Sequence, residues 1–178
     1  MNAQPEPVGT ATVTWITIPQ GPATSVWAAV VASANEIGGQ YKALVLDANI
    51  LIRTVPGQRV RRILESHADS ISFFIPQSAY AEADEHLAAL VVKRGGEPEK
   101  GLRLLRSLAA LGTVMTHDTY ADYEIEARKR LASRDPDDWP ILAAALALGC
   151  PIWTEETDFF GCGVATWTSA SIGSFLTQ

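Results

Sequence analysis

With 178 residues, 47% hydrophobic and 19% charged, the chain has apolar material for one folded domain with a small appendage, and its composition is not that of a disordered segment. It holds no apolar run long enough to span a bilayer, no basic and then apolar leader over residues 1–8, and only two cysteines, Cys150 and Cys162, whose spacing fits neither a zinc knuckle nor a disulfide framework. The net charge of −6 speaks against a protein that holds nucleic acid by bulk charge alone. The expected protein is cytoplasmic, makes no membrane contact and keeps both cysteines as buried thiols.

Residues 1–41 differ in character from the rest and read as an N-terminal strand-helix extension. Val13 and Trp15 alternate with Thr12 and Thr14, which predicts a strand within residues 10–19. Thr24 or Ser25 suits the cap of a helix ending at Gly38-Gly39, with Val26, Trp27, Val30, Val31, Ala34 and Ile37 on one side. From residue 42 to 178 strands and helices alternate, which predicts a mainly parallel sheet with helices on both faces. Strands are expected over 43–46, 71–75, 113–116, 151–154 and 164–168. Helices are expected over 60–67, 78–94, 98–111, 120–132 and, from a start left open between Asp135 and Asp138, to Leu148, with Gly149 as the stop.

In such a sheet functional groups gather beyond the carboxyl ends of the strands. Asp47 stands there, directly after the apolar run Val45-Leu46, and an acid at that point is costly unless it caps a turn or has a task. Asn49 lies two residues on and points the same way in extended chain. Glu82 lies early in its helix and also reads as an ordinary exposed carboxylate. Asp135, Asp137 and Asp138 cluster at a helix start, which the helix dipole favours in any case; Asp138 comes closest to the apolar body of the helix. Glu155, Glu156 and Asp158 follow another strand end, with Thr154 positioned to hydrogen-bond a carboxylate or water. Several such acids converging on one place require a cation. Oxygen ligands without cysteine or a placed histidine favour magnesium or manganese over zinc. His67, His86 and His117 are scattered.

Basic residues come in groups: Arg59, Arg61 and Arg62; Lys93 and Arg94; Lys100, Arg103 and Arg106; Arg128, Lys129 and Arg130. They suit a phosphate-contacting rim around an acidic centre, and each equally reads as a solvated helix face.

Four stretches resemble the motifs of the PIN-domain family, in order, over about residue 42 to the C-terminus. Val45-Leu46-Asp47-Ala48-Asn49 looks like the first motif, and Pro76 through Ala81-Glu82 like the second. Asp135-Pro136-Asp137-Asp138 before Ile141-Leu142-Ala143 looks like the third. Ile152-Trp153-Thr154-Glu155-Glu156-Thr157-Asp158-Phe159 looks like the last. The resemblance implies a three-layer αβα sandwich and a magnesium- or manganese-dependent endoribonuclease. It assigns Asp47, Glu82, Asp138 and Glu156 to catalysis and metal binding, with Asn49, Thr154 and Asp158 in support. It also implies a toxin similar to the VapC group, with RNA as substrate, an antitoxin protein as partner and a homodimeric state. Glu156 departs from the pattern, where aspartate is usual, and Asp158 is placed to share its role. That departure keeps open a catalytically weak or inactive PIN domain that binds RNA or protein. A phosphotransferase on a similar sheet would show Asp-x-Asp after the first strand or a glycine-rich phosphate loop, and neither is present.

Overall fold

The computed structural model describes residues 14–16, 42–55 and 57–177. Its central strand, β2 (Lys42–Leu46), is buried from Ala43 onward. A run that is apolar at every position rather than at alternate ones is what a parallel sheet covered on both faces demands. β3 (Ile71–Pro76) is buried almost throughout. With β1 (Thr14–Ile16), β4 (Thr113–Met115), β5 (Ile152–Trp153) and β6 (Thr166–Trp167) they form one six-stranded sheet in the order β1-β4-β3-β2-β5-β6. Every pairing is parallel.

The helices are α1 (Ala48–Thr54), α2 (Gln58–His67), α3 (Gln77–Lys93), α4 (Pro98–Ala109), α5 (Glu124–Arg130), α6 (Trp139–Leu148) and α7 (Ile172–Leu176). From β2 to β3 to β4 the chain steps one way across the sheet, and it then returns to place β5 on the other side of β2. α1–α4 pack against one another as one layer and α5 packs with α6 as another, the arrangement that right-handed crossovers produce in a parallel sheet of this order. The reversal lies between β2 and β5, and a crevice at such a reversal, beyond the strand ends, is where α/β sheets bind ligands.

The N-terminal strand expected within residues 10–19 is present as Thr14–Ile16, and it extends the sheet at the edge beside β4. The helix expected up to Gly38-Gly39 lies outside the described residues. α1 was not foreseen: Asp47 caps it directly after β2, so the chain turns without a spacer. The helix expected over 120–132 begins at Glu124, because two 3-10 turns, His117–Thr119 and Ala121–Tyr123, precede it. Tyr120 joins those turns with its ring buried in the core, edge-on to His117 and tilted against Trp139, and that anchor breaks the helix there. α7 is a further addition.

α6 is buried nearly all round, with Ile141, Leu142, Ala143, Ala144 and Ala145 in the core. Its small residues let it lie close to the sheet, and Gly149 ends it in the left-handed conformation (φ 63°) that glycine adopts at least cost. Pro140 falls in its first turn, where the missing N–H costs nothing. Cys150 and Cys162 are buried free thiols. Among the described residues no helix is long and apolar enough to cross a membrane.

Candidate metal centre

The carboxyl ends of β2 and β5 are stitched together by side chains. Asp47 is 6% exposed, and its backbone N–H donates to Trp153 O across the strands (3.1 Å). Its Oδ1 accepts from Ala48 N–H (2.6 Å). Its Oδ2 accepts from Asn49 Nδ2 (2.6 Å) and from the hydroxyl of Thr154 (2.5 Å). Thr154, fully buried after β5, also accepts from Asn49 Nδ2 (3.1 Å) and Glu156 N–H (2.9 Å). Asn49 Oδ1 in turn accepts from Glu155 N–H (3.1 Å). The network fixes the rotamer of Asp47 and the start of the loop that carries Glu156. One lone pair of Asp47 Oδ1 is left open by this count.

Asp138 arrives from the opposite face of the sheet. Asp135 caps the 3-10 turn Pro136–Asp138 through Asp137 N–H (2.9 Å), and Asp138 then stands at the N-cap of α6. The helix start left open in the sequence is therefore two successive starts, with Asp135 serving the first and Asp138 the second. Asp138, Glu156 and Asp158 each offer an oxygen, all within 4.8 Å of one another. Asp158 thus joins the tight cluster itself rather than standing behind it. Asp47 is next to this group, and Glu82, exposed on α3, lies near enough for its charge to act on Asp47.

The electrostatics show what the cluster lacks. Burial pushes the Asp47 carboxyl up to about 6; the Thr154 hydrogen bond opposes this, while the charges of Glu156 and Glu82 add to it. Asp138 is pushed up to about 7, first by burial and then by Glu156, Asp47, Asp135 and Asp158. Asp138 Oδ2 is buried with no hydrogen-bond partner. Among the described residues no arginine or lysine pairs with Asp47, Glu82, Asp138, Glu156 or Asp158. A buried orphan oxygen amid uncompensated carboxylates fits a divalent cation, and an all-oxygen donor set fits magnesium or manganese.

The basic groups divide. Arg61 pairs with Glu65, Lys100 with Glu97, Arg128 with Glu124 and Arg130 with Glu126. Arg128 also lies over the Trp139 ring, 5.1 Å from its centroid, and donates to Pro136 O (3.3 Å). Arg130 donates to Cys162 O (3.1 Å) and Arg134 to Thr157 O (2.9 Å). These arginines hold the two acid-bearing loops in place, so Arg128 and Arg130 are committed to the scaffold rather than free on a phosphate rim. The sequence shows the group and the carboxylates one turn before it, but not the Pro136 and Cys162 carbonyls that it also holds.

A family model described as PIN domain matches residues 45–177. Among solved structures, a chain in the crystal structure of VapBC2 from Rickettsia felis bound to a DNA fragment from their promoter aligns with a TM-score of 0.56. Its identity is 17%, over 71% of this chain and 98% of that one; at that identity the likeness is one of fold. No curated protein matches.

Proposed function

Because the chain belongs to the PIN-domain family, we propose that it is a metal-dependent endoribonuclease that hydrolyses RNA phosphodiester bonds, and that it serves as the toxin of a toxin-antitoxin pair. The observation that carries the nuclease reading is the buried, unpartnered Oδ2 of Asp138 in the tight cluster with Glu156 and Asp158, which the charge of Asp47 also reaches. An isolated structural carboxylate would have a hydrogen-bond partner or lie in water.

In this reading Asp47, Glu82, Asp138 and Glu156, joined by Asp158, hold one or two magnesium or manganese ions. Such an ion, when bound, acidifies water and offsets the negative charge that builds on a phosphate under attack. Asn49 and Thr154 keep Asp47 in one orientation, as partners behind a ligand do. Asp138 holds its proton up to about pH 7 and Asp47 only up to about pH 6, and both must be ionised for a cation to bind, so metal affinity rises with pH through about 6 and about 7. The Arg134 contact to Thr157 O holds the Glu156–Asp158 loop against the charge repulsion it would meet without a cation.

The toxin role and an antitoxin partner are supported by the family and by the fold shared with the Rickettsia felis VapBC2 chain. Glu156 favours a second reading, a weak or inactive PIN domain acting as a binding module, because its carboxylate sits one methylene further out than the usual aspartate. Incubating the protein with single-stranded RNA in magnesium, in manganese and in chelator separates the two. Cleavage that needs the ion and disappears in Asp138→Asn is expected; RNA bound but uncut under all conditions would establish the second reading.

A further inference from the structure

Beside the carboxylates, across Glu155, lies a groove of about 440 Å³ whose walls carry Arg53 and Arg59. Neither guanidinium makes a hydrogen bond or ion pair among the described residues, unlike Arg61, Arg128, Arg130 and Arg134. Gly57 brings the two together. Its N–H donates to Arg53 O (3.0 Å), and a Cβ there would lie 2.7 Å from that oxygen, so only glycine lets α1 end and α2 begin this tightly.

The placement of the pair is unequal in cost. Arg53 lies in the last turn of α1, where a cation suits the helix dipole. Arg59 lies in the first turn of α2, where it opposes the dipole, and no acid in that turn offsets it. Glu155, the acid on the groove wall, keeps its charge but forms no ion pair with either arginine among the described residues; its Oε1 accepts from Ser169 N–H (2.9 Å). Through its own N–H on Asn49, Glu155 also belongs to the network around Asp47, so one wall serves both the groove and the acidic centre.

We propose that this groove binds a backbone phosphate of single-stranded RNA, flanking the phosphate held at the carboxylates. Two unpaired guanidiniums on one cavity wall match the forked acceptor geometry of a phosphate. Asp47 caps α1 and Arg53 lies in its last turn, so the groove adjoins the acidic centre while none of the centre's own acids lines it. In a chain of charge −6, fixed cations beside an acidic centre are what keep a polyanion in register. The inference rests on the nuclease reading.

The test measures binding of a short fluorescent single-stranded RNA in chelator, across a salt series, together with cleavage in magnesium. R53Q/R59Q is expected to bind about tenfold more weakly, with a log–log salt slope lower by about 0.7 for each lost contact. KM should rise by more than kcat falls, and R53K/R59K should recover most of the salt dependence. The melting temperature should stay unchanged, since both side chains are exposed and unpaired. A double variant that binds RNA as tightly and with the same salt slope as wild type overturns the groove, even where wild type cleaves. Binding lost in the variant while wild type never cleaves sustains the groove and removes the nuclease.

Discussion

The two ends of β5 make opposite use of burial. Before the strand, Cys150 is buried beside a shallow groove of about 290 Å³ lined by residues such as Ala145, Pro151 and Val164, and burial pushes its thiol up to about 12. After the strand, four residues away, Thr154 joins the network around Asp47, and burial pushes Asp47 and Asp138 up to about 6 and about 7. The physical cause is the same, the loss of water around a group that would carry charge. The consequence differs. Cys150 stays neutral, has no charged neighbour among the causes of its shift and is inert. The acids raise one another's pKa, so protonation relieves them only in part near neutral pH and a cation relieves them fully. A buried titratable group is thus not in itself a site; convergence of like charges makes one.

The largest test of that contrast is Asp138→Asn. Magnesium-dependent RNA cleavage should fall by more than the ~100-fold that loss of a supporting partner costs, while the chelated protein at pH 8 should melt at a higher temperature than wild type. A lower melting temperature would mean that the carboxylate stabilises the fold and that the cluster is not held under repulsion.

Thr154→Val comes next. It removes the hydroxyl that donates to Asp47 and accepts from Asn49 and Glu156. Cleavage should drop by about 10- to 100-fold, and chemical denaturation should show a loss of about 1–3 kcal/mol from the unpaired groups left behind.

The pH dependence follows from the direction of the shifts. Asp47 and Asp138 have folded values above the unfolded 3.8, so between about pH 4 and 7 the native state binds more protons than the unfolded one. Without metal, the stability they contribute is full below 3.8 and is lost as pH rises through about 6 and about 7. Melting curves in chelator should therefore decline across that window, less steeply in Asp138→Asn, and manganese at pH 8 should reverse the decline.

The smallest effect belongs to the other end of the strand. Cys150→Ala should cost roughly 1 kcal/mol and leave cleavage unchanged, and Cys150 should resist a thiol-specific reagent at pH 8 until the protein unfolds. Rapid labelling of Cys150 in the folded state would remove the contrast.

Much of this was legible along the chain. The unbroken apolar runs at Leu44–Leu46 and Phe73–Ile75 announced covered parallel strands, and Gly149 marked the end of α6 where its left-handed φ was needed. The acids Asp47, Asp138 and Glu156 stood out because each follows or precedes an apolar run that must be buried. Less legible was anything that depends on a distant partner. Tyr120 interrupts a helical pattern because its ring fills a space between His117 and Trp139. Arg128 and Arg130 read as a solvated helix face or a phosphate rim, and neither reading contained the carbonyls of Pro136 and Cys162 that they hold.

Burial of segments, the alternation of strands with helices, and the fall of acids at strand ends and helix starts are written in local pattern, because hydrophobic periodicity and capping chemistry act over a few residues. The return of β5 to lie beside β2 is a property of the whole fold; it joins Thr154 to Asp47, residues 107 apart in the chain, and places Asp138 against Glu156 and Asp158. Strand order is set by the packing of both helical layers at once, and no local pattern carries it.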